Sequence, residues 1–388
     1  MEKQVKLGII GIGNMGSAHA KHIYNNGTKG LKLVATCDKS PYRRDYCKEN
    51  FKDVLVFDNY KALIDSGSVE AVIIAVPHPL HADIAMYALE KGLHVLLEKP
   101  VDVTVTKAKK LNELAKKSDK VFAIMFNQRT NEIFIKAREI IKSGVLGNIK
   151  RNSWVITNWY RPQSYYDSGS WRASWRGEGG GVLINQSPHN LDLWQWICGE
   201  PTEITAIISY GKFHNIEVDD EATIYAKYAN GATGTFITST GELPGTNRLE
   251  IACDKGKMVL ENSMLKIWKL SESERVFCFD DTKGPTMTYE EFKCDSEIAH
   301  KGILQNFANA ILYGEELISP GSDGIKELSI SNAAYLSSWK GSIPVSLPLD
   351  TNEFDKYFYE KVEASSFDES KESHFEGGSY LPRWFVNW

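Results

Sequence analysis

Three stretches carry residue types and spacings that could do chemistry together. Gly11-Ile12-Gly13-Asn14-Met15-Gly16 is a GxGxxG run set directly after an apolar strand-like stretch and opening a helical one. There the first glycine permits a tight turn, the second lets the backbone approach a pyrophosphate, and the third allows close helix packing. The anion would sit at a helix N-terminus, where N–H groups and the dipole favour negative charge. Asp38 ends the next strand-like run, 22 positions after Gly16. A carboxylate there can bind ribose hydroxyls and repel a 2′-phosphate, which favours NAD over NADP. Lys39, Arg43 and Arg44 could offset it and keep NADP open.

Glu98-Lys99-Pro100 follows the apolar run at 94–97, at what should be the carboxyl edge of a parallel sheet. A lysine there can hydrogen-bond a substrate hydroxyl and shift its proton, especially if burial makes the amine more acidic. The last stretch runs from Gly179 through Asn185, Gln186, Ser187, Pro188 and His189 to Asp192. Ser187 before Pro188 reads as a helix N-cap and first helical residue. His189 then falls in the first turn with Asp192 three residues on, on the same face. The carboxylate could orient the imidazole, while the helix N-terminus disfavours its protonation and leaves a neutral general base.

The elements that must position these residues follow from periodicity. Short β-branched or leucine-rich runs at 5–10, 32–37, 71–76, 94–97 and 121–125 alternate with helical patterns at 15–26, 42–50, 79–91 and 106–117. That alternation predicts a doubly wound parallel sheet over residues 1–127. After a helix at 131–143, strand candidates dominate: 149–157, 202–210, 222–228, 233–240, 247–253, 257–261 and 264–270. Two more helices are expected near 299–313 and 325–340. The fold class is thus an α/β Rossmann domain followed, over 128–349, by an α+β domain with a large, mainly antiparallel open sheet for substrate binding and oligomerisation. Residues 350–388 read as an acidic, aromatic C-terminal tail.

The ordered motifs resemble the Gfo/Idh/MocA family of NAD(P)-dependent oxidoreductases, over roughly residues 5–349. Its pattern places the glycine fingerprint first, then EKP, then GGGxLxDxGxHxxD. Pro77 and His81 after the third strand, Asn127-Gln128-Arg129 at the domain junction, Leu146-Gly147, and Trp171-Arg172 before the glycine run are further matches. The resemblance implies Lys99 and His189 as the catalytic pair with Asp192 near them. It also implies cofactor contacts at Pro77, His81, Glu98, Lys99, Asn127, Trp171 and Arg172 beside the glycine loop and Asp38. Asn185 departs from the pattern, standing where many members have aspartate, although some sugar-oxidising branches of the family also carry asparagine-glutamine there. It cannot accept a proton or add charge, so His189 must lean on Asp192, Lys99 or water.

Six of the ten tryptophans lie between Trp154 and Trp196. Aromatic faces pack on the C–H faces of sugar rings, so Trp159 and Tyr160, with Lys99, Asn185 and His189, are candidate substrate contacts. Trp194 and Trp196 read as core. The function expected is an NAD-dependent dehydrogenase acting on a secondary alcohol of a sugar, cyclitol or glycoside, and the family resemblance implies C3 of a glucoside-type ring as the first choice. An NAD-dependent redox glycosidase and a non-catalytic sugar- or cofactor-sensing regulator are the alternatives.

Composition narrows the partners. Formal charge is −5, and residues 352–376 alone hold eight acids against three bases, so the body is neutral and nothing suggests a nucleic-acid partner. No apolar run suits a signal peptide or a membrane span, and the six scattered cysteines read as reduced thiols, so a cytoplasmic protein without a metal site is expected. The aromatic tail and the two-faced strands at 222–228 and 233–240 suggest a homo-oligomer, dimer or tetramer, with sheets face to face.

Overall fold

The computed structural model describes residues 3–294 and 298–367. Six strands form the first sheet: β1 (Val5–Ile10), β2 (Leu31–Cys37), β3 (Leu55–Phe57), β4 (Ala71–Ile74), β5 (His94–Leu97) and β6 (Phe122–Ile124). Their order is β3-β2-β1-β4-β5-β6, and every pairing is parallel. β4 is wholly buried because helices cover both sheet faces, which explains its unbroken apolar run. The chain order reverses between β1 and β4, so the loops leaving their carboxyl ends diverge and open a crevice. β3 and the helix Tyr60–Asp65 escape the sequence reading: at three and six residues they are too short to show a period.

The second sheet has nine strands: β7 (Ile149–Ile156), β8 (Glu203–Tyr210), β9 (Asp219–Lys227), β10 (Thr233–Ser239), β11 (Asn247–Cys253), β12 (Gly256–Glu261), β13 (Met264–Leu270), β14 (Met287–Lys293) and β15 (Val345–Ser346). The order is β14-β13-β12-β11-β7-β10-β9-β8-β15, antiparallel throughout except for β7 beside β10. Helices Glu132–Lys142, Pro188–Cys198 and Gly324–Trp339 belong to the same large core as the inward residues of this sheet. β9 starts three residues earlier than expected. Asp219 and Asp220 look like loop residues in sequence, but their carboxylates accept backbone N–H groups from Gly181, Leu183, Lys212, Phe213 and His214.

The division at Asn127 separates the sheets but not the cores. Ile303, Leu304, Phe307 and Ala308 of helix Ala299–Tyr313 pack in one cluster with Val5, Leu7 and Ile9. The segment after residue 349 begins as a helix, Thr351–Glu363, with the Asp350 carboxylate capping its first turn. Phe354 stacks on Trp339 at 5.7 Å and Phe358 meets Trp175 edge-on at 6.5 Å, so this part of the expected tail docks on its own chain. Tyr380, Trp384, Phe385 and Trp388 lie outside the described residues.

Candidate active site

The glycine loop fits a dinucleotide. Gly11 has φ +91°, and a β-carbon there would lie 2.4 Å from the Ala75 carbonyl oxygen, so only glycine serves. A β-carbon on Gly13 would meet nothing nearer than the Arg43 guanidinium at 3.9 Å, leaving an open approach to the backbone. Helix Asn14–Tyr24 starts beside it with no side-chain cap and no acid in its first turn, as an anion site requires. Asp38 is buried, and its carboxylate accepts the Ile12 N–H at 2.8 Å and the Ser40 N–H at 2.9 Å. It therefore stands against the loop. Arg44 is turned to the carbonyls of Asp38 and Lys39 at 3.0 and 2.8 Å, and Arg43 lies 3.5 Å from the Asp38 carboxylate.

Lys99 and His189 come from different domains. Lys99 Nζ, just past β5, donates to the backbone carbonyl of Asn185 at 2.6 Å. That carbonyl belongs to a single π-helical turn, Val182–Gln186, which leads into the His189 helix and holds a backbone geometry often found at functional sites. The turn is anchored by Asp219, whose carboxylate accepts the Gly181 and Leu183 N–H groups at 2.6 and 2.9 Å and the Tyr335 hydroxyl at 2.5 Å. A β-carbon at Gly181 would lie 1.9 Å from the Asp219 carbonyl oxygen, which explains that glycine.

Burial lowers the Lys99 amine to about 8, opposed first by the Glu98 charge. Burial, then the Lys99 ammonium and His300, hold His189 well below the usual imidazole value. A neutral imidazole and an acidified ammonium thus share the site. Burial alone would raise the Glu98 carboxyl, but its 2.7 Å contact with His19, together with His300 and Lys99, brings it down to about 2.

Several expected roles change. Asp192 does not orient His189: it forms a two-pronged ion pair with Arg129, at 2.8 and 2.6 Å, inside the core. A buried guanidinium needs a planar acceptor, and a bidentate carboxylate answers that need better than an imidazole does. Arg129 also reaches Asp323 at 2.7 Å, so the pair clamps the His189 helix to the domain junction. Ser187 stands at the N-cap position, yet its hydroxyl pairs with Thr238 at 2.8 Å and makes no cap. His81, beyond Pro77, turns both ring nitrogens to the carbonyls of Pro100 and Val76, at 2.6 and 2.8 Å, so it braces the Lys99 loop and offers a cofactor no polar atom. Trp159 is buried, with its indole N–H on Asn190 at 3.1 Å, and supports the His189 helix as a wall. Trp194 is core as expected, whereas Trp196 is half-buried beneath the Arg138 guanidinium at 4.1 Å.

Arg172 is among the charges that act on Lys99. Asn127 is buried with its amide 3.3 Å from His300. Trp171 meets His78 edge-on at 5.2 Å, and Arg172 donates to the Tyr165 hydroxyl at 2.8 Å. Tyr160 is half-buried, and its carbonyl accepts from Arg161 at 2.9 Å. A cavity of about 590 Å³, within the range of small-molecule sites, is lined by residues of the 166–174 loop and by Asn215, Ile216 and Glu217. Arg172 lines it; Lys99 and His189 do not. Sequence reasoning missed Glu178, Asp219 and Glu327, all buried carboxyls with no motif of their own. Asp219 and Asp220 precede the strand-like run at 222–228, where two adjacent acids read as loop, so no local signal separates them from solvated carboxylates.

Comparison with known proteins identifies the family. The model of an oxidoreductase family with an NAD-binding Rossmann fold, GFO_IDH_MocA, matches residues 5–126, and that of the GFO/IDH/MocA C-terminal domain matches residues 134–259. The chain belongs to the Gfo/Idh/MocA family. Among Gfo/Idh/MocA relatives, scyllo-inositol 2-dehydrogenase (NAD(+)) of Bacillus subtilis is 26% identical over 362 residues, 89% of this chain and 97% of that protein. Levoglucosan dehydrogenase of Pseudarthrobacter phenanthrenivorans is 26% identical over 292 residues, 66% of this chain and 73% of its own. The fold matches the WlbA dehydrogenase from Bordetella pertussis, solved with NADH and UDP-GlcNAcA, at a TM-score of 0.75 and 22% identity, covering 90% of this chain and all of that one. As an NAD-binding Gfo/Idh/MocA oxidoreductase, this chain carries both proton-transfer candidates, Lys99 and His189, in one site. Among the described residues no helix is long and apolar enough to cross a membrane, and no cluster of three or more His, Cys, Asp or Glu is arranged to hold a metal ion.

Proposed function

We propose that this protein is an NAD-dependent dehydrogenase of a secondary alcohol on a sugar, cyclitol or glycoside ring. The observation that carries the proposal is the meeting of Lys99 with the turn that leads into the His189 helix, at the carboxyl edge of a sheet whose glycine loop suits a dinucleotide. NAD, when bound, supplies a hydride acceptor. His189, kept neutral by burial and by Lys99, takes the hydroxyl proton. Lys99 donates a hydrogen bond to the same oxygen and stabilises the charge that develops on it. The Asn185 amide and Tyr160 contact the other ring hydroxyls. Reduction of the corresponding ketone runs through the same groups in reverse.

Relatives named for inositol and levoglucosan support a cyclic polyol as substrate. Within that class we propose C3 of a glucoside-type ring, the choice implied by the family resemblance. The test is NADH absorbance on mixing purified protein and NAD with free sugars, cyclitols and aryl glycosides. NADH formation with ring alcohols and a 3-keto product supports the proposal. Release of aglycone without net NADH would replace it with the glycosidase reading, and ligand binding without either reaction would point to a sensor.

We also propose a homo-oligomer, dimer or tetramer, built through the sheet face turned away from the helices. Ile207 and Tyr225, on neighbouring strands of that face, are 67% and 39% exposed. Apolar residues so placed favour burial against a second copy.

A further inference from the structure

Glu178 stands just before the glycine run and no motif assigns it a task. It is 1% exposed, yet several donors converge on it. One carboxylate oxygen accepts from the Asn185 side-chain amide and lies 3.7 Å from the Arg172 guanidinium. The other accepts the Ala173 N–H at 2.6 Å. The same Asn185 amide nitrogen reaches the Tyr165 hydroxyl at 3.3 Å, and the Asn185 backbone carbonyl accepts from Lys99 at 2.6 Å. A buried carboxylate is thereby linked through a single residue to the proton-transfer lysine. An amide is planar, so holding its NH₂ end on acceptors turns its carbonyl oxygen the other way.

We propose that Glu178 is a positioning residue of this site: it fixes the orientation of the Asn185 amide and adds a negative charge near Lys99. The inference rests on the proposed part of Lys99 in proton transfer. It deepens that reading by supplying the acidic group that an asparagine at position 185 lacks.

The electrostatic setting supports it. Burial raises the Glu178 carboxyl to about 7; Arg172, the Ala173 N–H and the Asn185 amide favour the carboxylate, and Asp219 opposes it. Tyr166 also faces this charge. Around Lys99 stand Glu98, Glu327, Glu178 and Arg172, with the imidazoles of His78, His81, His189 and His300. Glu178 and Lys99 both titrate near neutrality, so each alters the charge of the other.

Glu178→Gln separates this role from mere packing. Glutamine keeps the shape and loses the charge; with its carbonyl committed to the Ala173 N–H, which cannot turn, it presents its NH₂ to the Asn185 NH₂, so the Asn185 amide must flip. Adding Asn185→Asp restores both an acceptor for that NH₂ and a negative charge beside Lys99. The measurement is the pH dependence of Lys99 acetylation by acetic anhydride at low conversion, read by mass spectrometry on the full chain, which needs no substrate. The midpoint should be about 8 in the unaltered protein. It should fall by about one pH unit in Glu178→Gln, since losing a nearby negative charge favours the neutral amine. The double variant should return it. With a ring-alcohol substrate, kcat/KM should drop about tenfold in the single variant and recover in the double.

Should Glu178→Gln fail to fold by circular dichroism, Asn185→Asp alone decides, because a second carboxylate there should raise the Lys99 midpoint. An unmoved midpoint in folded Glu178→Gln or in Asn185→Asp overturns the proposal, as does a double variant no better than the single. Midpoints that move as stated while no ring alcohol reduces NAD would sink the proposed function alone.

Discussion

Asp192 and Arg129 form a two-pronged ion pair, each about 1% exposed, that fastens the helix bearing His189 to the turn following β6. The carboxylate nearest His189 in sequence thus holds the domain junction and leaves the imidazole to Lys99 and burial. Removing it should act on stability. Asp192→Ala leaves a buried guanidinium short of its main partner and should cost about 3–5 kcal/mol in denaturant unfolding. A variant with normal stability but lost turnover would return Asp192 to the proton relay.

Lys99→Ala and His189→Ala should each lower turnover by about 10²–10⁴-fold, the scale of a positioned acid–base group. NADH binding, followed by fluorescence, should survive because the glycine loop is untouched. Near-normal kcat in either variant removes that residue from proton transfer.

Asp38→Ala should narrow the preference for NADH over NADPH in fluorescence titration. The Asp38 carboxylate stands against the glycine loop, where the motif would set it on the ribose hydroxyls and against a 2′-phosphate, and Arg44 is held by backbone carbonyls. Equal affinity of the unaltered protein for both cofactors contradicts this assignment.

Glu327 gives a pH signature. Its carboxyl is buried, with neither oxygen hydrogen-bonded, and burial, with Asp192, raises it well above the usual carboxylate value, Lys99 opposing. An acid raised on folding keeps its proton in the native state while the unfolded chain ionises above about 4.3. Stability is therefore lost as pH climbs from there toward the native value. Glu327→Gln should be more stable than the parent at pH 8 and nearly equal to it at pH 4. The same difference at both pH values would mean that Glu327 is charged in the native state.

For assembly, light scattering should give a dimer or tetramer, and Ile207→Lys should reduce the mass without changing the far-ultraviolet spectrum. Phe354→Ala should cost about 3–5 kcal/mol by emptying its place against Trp339. A monodisperse monomer at micromolar concentration ends the oligomer proposal.

Much of this protein was legible in one dimension, because its information is local there. The glycine spacing, the apolar runs and Asp38 at a strand end act through backbone sterics and periodicity, so the parallel sheet and the glycine loop could be read without coordinates. Lys99 and His189 were legible for the same reason: each sits at the end of an element that periodicity reveals.

Tertiary structure alone decided which partners the buried charges chose. Asp192 lies three residues from His189, yet Arg129, 63 positions earlier, claims it, because bidentate pairing in a dry core outweighs proximity along a helix. Glu178, Asp219 and Glu327 have no local signature; their roles arise from donors, or the lack of them, brought by distant segments. Helix Ala299–Tyr313 joins the first core from far along the chain, since apolar area is buried against whichever surface remains open. Sequence by itself determined the elements and the chemistry they could carry. Long-range electrostatics and packing decided which side chains face each other.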